Sequence, residues 1–173
     1  MSIRPPERLN TRRLILRRPT LPDAEPIFEE YAQDPEVTRY LAWQPHRSLS
    51  DTRAFLEGVS ARWDSGERYA WALTFQESDR PIGMLGCTIR EHEAGLGYPL
   101  ARKYWGQGLM AEAVSAAVQW LLEQPSIFRC WAVCDTTHTA SARVLEKVGM
   151  QREGILRRLV VHPNLSPEPR DVE

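Results

Sequence analysis

The run Lys103-Tyr-Trp-Gly106-Gln-Gly108-Leu-Met-Ala-Glu112 carries the clearest chemical signal in this chain. Two glycines one residue apart stand directly before an apolar pattern of helical period. Glycine lets a backbone approach a phosphate closely, and the unpaired amides of a helix's first turn meet an anion along the positive end of the macrodipole. The spacing describes an anion cradle, and it equally describes a plain tight turn. No Gly-Lys-Ser/Thr follows, which excludes a nucleoside-triphosphate loop, and the third glycine and downstream acid of a dinucleotide fingerprint are missing. Candidate bases are sparse. Glu91, His92, Glu93 and Asp135 fall where turns are expected, so a turn role is the simpler reading of each.

The elements around the cradle follow from periodicity. Leu14 to Arg18 reads as a first strand. A helix carrying Ile27, Phe28 and Tyr31 follows, stopped at Asp34-Pro35. After a loop over Pro45 to Ser50, a second helix starts at Ser50 or Asp51, places Phe55, Leu56, Val59 and Trp63 on one face, and ends at Ser65-Gly66. From Tyr69 to Phe75 every second residue is large, the pattern of a strand with one face on a core. Ile82 to Ile89 and Gly95 to Leu100 continue an antiparallel meander. The period then changes, and Leu109 to Glu123 forms a helix with Leu109, Ala113, Ala117, Trp120 and Leu121 at helical spacing. Arg129 to Cys134 is a strand, Thr139 to Val148 a helix closed by Gly149, and Ile155 to Val161 a last strand. Strand, helix and strand from Gly95 to Cys134 make a crossover, so this pairing is parallel, and a helix N-terminus sits at the carboxyl end of a strand where α/β sheets bind ligands. The proline-rich segment from Pro163 to Pro169 reads as irregular, and the tail over 162–173 as irregular or incomplete.

Composition narrows the partners. The 173 residues suit one domain, with 42% apolar and 26% charged residues as in a folded globular protein. A net charge of −1 supplies no global field for nucleic acid or an anionic membrane, so an anionic ligand must be held locally. Cys87, Cys130 and Cys134 lie in apolar runs and have neither disulfide nor metal spacing, which predicts buried thiols in a reducing compartment and no metal. No signal peptide or membrane span is legible, and the expected location is the cytoplasm.

The cradle resembles the pyrophosphate-binding signature of the GNAT superfamily of N-acetyltransferases, with Gly106 and Gly108 matching and Lys103 in place of the usual Arg or Gln. The resemblance extends through Gly97-Tyr-Pro-Leu100 and Glu112-Ala113 to Ala140-Ser-Ala-Arg-Val-Leu-Glu-Lys-Val-Gly-Met150. The last segment, with Thr11-Arg-Arg-Leu-Ile-Leu-Arg17 and Tyr40-Leu-Ala-Trp43, is similar to the branch that includes ribosomal-protein N-terminal acetyltransferases. That branch commonly carries Asn where this chain has His138, and its sheet finishes with a strand after Glu-Pro-Arg-Asp, whereas this chain runs three residues past Arg170.

The resemblance implies a mixed α/β (α+β) fold, mostly antiparallel and centrally splayed, flanked by helices. It implies acetyl-CoA as co-substrate, with the amides of Gly106, Gln107, Gly108, Leu109 and Met110 on its pyrophosphate, Arg102 and Lys103 near its phosphates, and His138 near its pantetheine arm. Pro99 has no amide, so Leu100 is the donor that polarises the thioester carbonyl. Ser141, on the helix face of Val144, Leu145 and Val148, is either the proton donor to the departing sulfur or an ordinary helix-start serine. Trp43 is the candidate for the acceptor groove; Trp63, Trp71 and Trp105 have packing as the stronger reading. The expected acceptor is a primary amine, with a protein N-terminus ahead of a drug, polyamine or amino acid. A CoA-binding module without turnover is the rival from another class. Monomer and homodimer both fit.

Overall fold

The computed structural model describes residues 3–173. Six strands form one sheet in the order β1 (Arg8–Asn10), β2 (Leu14–Arg17), β3 (Tyr69–Phe75), β4 (Gly83–Arg90), β5 (Glu93–Gly97) and β6 (Arg129–Trp131). Each pair is antiparallel except β5 with β6, which is parallel. The helix α4 (Leu109–Leu122) makes that crossover, as the change of period predicts. Its buried stripe of Leu109, Met110, Ala113, Val114, Ala117 and Leu121 closes a core with Leu14, Leu16, Trp71 and Leu85.

The second layer is less regular than its sequence pattern. The first predicted helix consists of α1 (Ala24–Ile27) and a π-helical turn at Phe28–Ala32, and an unpredicted short helix, α2 (Pro35–Thr38), follows it. The first helix ends before Asp34-Pro35 as expected, and the same pair starts the short helix that follows. The Asp34 carboxylate accepts from the Glu36 amide, and proline suits the first helical position, where its missing amide costs nothing. The next helix, α3 (Leu49–Ser65), begins earlier than expected because Ser48 and Asp51 cap it reciprocally; Gly66 ends it at φ 77°.

β3 departs from the one-faced strand its alternation predicts. Tyr69, Trp71 and Leu73 enter the α4 core, whereas Ala70 joins Leu56, Val59 and Met84 in a second core under α3. Small residues on that face let α3 settle on it, so β3 is buried on both sides except at Phe75.

The sheet splays beyond its parallel pair. β5 and β6 stay in register only as far as Gly95 opposite Trp131. The following chain leads to α5 (Thr139–Lys147), β7 (Leu156–Val160) and β8 (Arg170–Val172), the last two forming a separate hairpin. Cys134 and Glu173 exchange two backbone hydrogen bonds at 3.0 and 2.9 Å, and Asp135 bridges to Val172. Residues 170–172 are therefore a strand, which corrects the expectation of an irregular tail there; Pro163 to Pro169 itself has no strand or helix. Among the described residues no helix is long and apolar enough to cross a membrane.

Candidate active site

The cradle is a built turn. Gly106 and Gly108 have φ of 75° and 73°, the left-handed region that glycine enters without strain. A side chain at Gly106 would meet nothing within 4 Å, so the turn opens to free space there. The first intrahelical bond of α4 runs from the Glu112 amide to the Gly108 carbonyl at 3.1 Å, which leaves the amides of Leu109, Met110 and Ala111 unpaired at the helix start. The side chains of Leu109 and Met110 meanwhile anchor the turn in the core.

A network that sequence reasoning missed fixes this turn from below. Glu112 Oε1 accepts from the Thr11 hydroxyl at 2.6 Å and the Arg13 amide at 2.7 Å, and Oε2 accepts from Arg13 Nε at 2.7 Å. Arg13 Nη1 then donates to the Gln107 carbonyl at 3.0 Å, inside the turn. Burial alone would lift the Glu112 carboxyl, but Thr11 and Arg13 together hold it below the usual carboxylate range. The signal was present in Thr11, Arg13 and Glu112, about a hundred residues apart; only the pairing of β2 beside α4 brings them together.

Arg102 and Lys103 are engaged elsewhere. Arg102 Nε lies 3.3 Å from Asp34, and Lys103 Nζ lies 2.6 Å from Glu30. Gln107 closes the turn on itself, donating from Nε2 to the Lys103 carbonyl at 3.0 Å.

The open edge of β5 faces the splay. Gly83 and Leu100 form an antiparallel bridge flanked by the bonds Met84 N–H to Pro99 O and Ala101 N–H to Ile82 O. That pattern makes Gly83 and Leu100 a non-hydrogen-bonded pair, whose own N–H and C=O groups point away from each other's strand. The Leu100 carbonyl on that side accepts from Trp105 Nε1 at 2.7 Å. The Leu100 amide points the same way, along the edge that β6 has left.

Ser141 stands on the other side of the splay. Its hydroxyl lies 3.0 Å from the Tyr98 hydroxyl, so it is not spent on capping α5. Burial pushes the Tyr98 phenol up to about 12, which keeps it protonated near neutrality. His138 sits at the N-cap of α5 without a side-chain cap bond. Its ring stacks on Tyr40 at 4.1 Å, and burial first of all holds its pKa below the ordinary histidine value. The Asp135 carboxylate organises the approach to α5, accepting from the Thr137 hydroxyl at 2.6 Å and from Arg170 Nε at 2.5 Å. Those bonds, Arg170's first, hold it far below the usual range, so it is no base at neutral pH. Glu91 and His92 are exposed at the β4–β5 turn.

A cavity of about 470 Å³ adjoins this point, with Tyr98 on its wall. Trp43 lines it, tilted 4.9 Å from His46 and 6.0 Å from Phe55. Asn164 holds the Trp43 loop by donating to the carbonyls of Thr38 and Trp43. Trp63 and Trp71 are core residues, as packing predicts. His46 is a cavity residue that the sequence did not single out; burial lowers its pKa, and Nδ1 is 2.8 Å from the Thr52 hydroxyl.

The family model described as the acetyltransferase (GNAT) domain matches residues 13–151. The uncharacterized N-acetyltransferase p20 of Bacillus licheniformis is 31% identical over 154 residues, covering 87% of this chain and 86% of the relative. The [ribosomal protein uS5]-alanine N-acetyltransferase of Escherichia coli is 27% identical over 159 residues, covering 87% and 81%. In fold, the chain superposes with a TM-score of 0.84 on the ribosomal L7/L12 α-N-protein acetyltransferase RimL in complex with coenzyme A, at 21% identity and covering 96% and 94%.

Proposed function

The chain belongs to the GNAT acetyltransferases, and from that premise we propose that it moves an acetyl group directly from acetyl-CoA to a primary amine, the acceptor being a protein N-terminal α-amine. The observation that carries this reading is the shared position of Tyr98, which lines the cavity and whose hydroxyl meets Ser141 at the splay. Acetyl-CoA supplies the acetyl group as a thioester.

The chain's residues supply the rest. The amides from Gly106 to Met110 bind phosphate oxygens, and the glycine turn that Arg13 and Glu112 brace has the open side such a group requires. The Leu100 amide donates to the carbonyl oxygen as negative charge develops there. As the carbon–nitrogen bond forms and the carbon–sulfur bond breaks, Ser141 Oγ gives its proton to the departing sulfur and is reprotonated by the proton the acylated nitrogen releases; Tyr98 holds it for that task. His138, stacked on Tyr40, forms the wall beside the pantetheine arm.

An N-terminal α-amine suits a site without a strong base. Its pKa near 8 leaves far more neutral amine at pH 7 than a lysine near 10.4, a difference of roughly 3 kcal/mol. The uS5-alanine acetyltransferase relative supports the same acceptor class. A second reading, a small-molecule amine, is favoured by the cavity volume of about 470 Å³, which lies in the range of small-ligand pockets. The reading also places the enzyme in the cytoplasm, with which its three free thiols agree. The test is acetyl-CoA consumption with peptides and small amines, followed by mass spectrometry that separates α-amine from ε-amine products. Acetylation confined to lysine side chains would defeat the N-terminal reading.

A further inference from the structure

The cavity beside Tyr98 carries a charge imbalance that acetyl transfer by itself does not require. Arg62 of α3, Arg68 just beyond it and Arg90 at the end of β4 line it, against a single carboxylate, Glu67. Several arginines elsewhere are paired with carboxylates: Arg17 with Asp23 and Asp79, Arg18 with Glu7 and Asp64, Arg80 with Glu29 and Glu30. Among the described residues no carboxylate comes within 4.0 Å of Arg62, Arg68 or Arg90.

The floor beneath them is bare. Gly86 and Gly97 are partners across β4 and β5. Arg68 Nη2 would lie 2.9 Å from a Cβ built on Gly86, so the guanidinium rests on the strand where a side chain would otherwise stand. A Cβ on Gly97 would meet nothing within 4 Å. Arg68 is exposed at the rim of the cavity; the partial burial of its guanidinium and then the nearby charge of Arg62 hold it below the ordinary guanidinium value. Two cations kept close without a counter-charge cost free energy that a bound anion would return.

We propose that the acceptor enters this cavity with a carboxylate beside its amine, carried by the residue next to a peptide's amino terminus or by a free amino acid, and that Arg68 receives it together with Arg62 and Arg90. The guanidinium fork matches a carboxylate in a way a point charge does not. The same cations disfavour the ammonium form of the arriving amine, since a like charge nearby favours the neutral form. The arginines thus do two jobs at once, holding the anion and easing deprotonation where no strong base stands. This inference rests on the amine-acetyltransferase reading above.

The test uses short peptides with one N-terminal residue followed by acidic, neutral or basic residues, and free glutamate beside an amino-acid amide. The expected order of kcat/KM is acidic over neutral over basic, with about tenfold or more between the extremes, mostly in KM. Arg68→Ala should shrink the spread to about threefold or less, and Arg68→Glu should invert it. Gly86→Ala keeps every charge but displaces the Arg68 guanidinium, so it should reproduce part of the Arg68→Ala effect. Turnover of glutamate above the amide would assign the carboxylate to a small acceptor, and turnover of the acidic peptide alone would assign it to a protein. Equal rates for acidic and basic acceptors, or a preference for basic ones, would overturn the proposal while leaving amine acetylation intact. Binding is read separately by calorimetry, with N-terminally blocked acidic and basic peptides titrated into the protein saturated with coenzyme A. If no amine is acetylated yet the acidic peptide binds more tightly, the acetyltransferase reading fails and the anion site stands; equal binding removes the anion site itself.

Discussion

The hydroxyls of Tyr98 and Ser141 lie 3.0 Å apart, joining the residue just past β5 to the first turn of α5 across the mouth of the splay. Ser141→Ala should lower turnover by roughly ten- to a hundredfold with little change in KM, as for a proton donor used mainly in the transition state. Tyr98→Phe keeps the ring and removes only the partner, so a smaller fall is expected, again in kcat. Steady-state kinetics on both variants checks this. Unchanged turnover in Ser141→Ala, with about 1 kcal/mol of lost stability, would reduce the serine to a helix-start residue.

The cradle can be tested at Gly106, where φ is 75° and a new methyl group would touch no protein atom. Gly106→Ala should cost about 1–2 kcal/mol in backbone strain and leave the fold intact, while coenzyme A affinity falls by at least about tenfold because the methyl group stands where a phosphate must approach. Calorimetry measures the affinity and thermal melting the stability. Undiminished affinity would remove Gly106 from the binding surface.

Much of this architecture was legible in the sequence because it is written in local patterns. The glycine pair before an apolar stripe specifies the turn and α4, and the crossover follows from the change of period at Gly108. What escaped depends on distant partners. β1 is three residues long and exists because Arg8 to Asn10 find β2, and β8 exists because residues 170–173 find both β7 and Cys134 to Thr136. The π turn that closes the first helix has no periodic signature. At the site, Tyr98 stands in the sequence only as part of Gly97-Tyr-Pro-Leu100, and its phenol meets Ser141 only because α5 packs over the end of β5. Arg68 follows a helix-ending glycine and looks like a solvated surface charge until Gly86 is seen beneath it.

The Asp135–Arg170 pair ties the hairpin of β7 and β8 to the start of α5. The Asp135 carboxylate is fully buried but Arg170 is partly exposed, so Arg170→Ala should lower stability by less than the loss of one member of a wholly buried pair, Thr137 still donating to Asp135 twice. Asp135 has a depressed pKa in the folded state, so its contribution is complete above its unfolded value near 3.9 and is lost only as the pH falls further toward the folded value. Denaturant midpoints across pH check this. The gap between wild type and variant should be constant from pH 8 to about 5 and narrow below about 4. A gap that widens in acid would contradict the sign.

The pH dependence of catalysis tests the acceptor. The two histidines nearest the splay and the cavity, His138 and His46, are both held below the ordinary histidine value, burial being the main cause. Both are therefore neutral by pH 7, and any limb from them lies below about 6.5. Asp135 stays ionised throughout, and Tyr98, pushed up to about 12, stays protonated. An acceptor α-amine titrates between pH 7 and 9. Deprotonating it costs about 1.36 kcal/mol for each unit its pKa lies above the pH, so an α-amine starts with a neutral fraction roughly a hundredfold or more above that of lysine. For a peptide with a free N-terminus, kcat/KM should climb with pH and level off near 8; a blocked peptide carrying lysine should react more slowly and keep climbing to about 10. Arg68→Ala should move the plateau for the free N-terminus toward higher pH only if it titrates in the bound state, so kcat and kcat/KM are to be profiled separately. A limb between pH 6 and 7 that disappears in His46→Gln or His138→Asn would reveal an enzymic base, and a preference for the blocked lysine peptide would rule out the N-terminal acceptor.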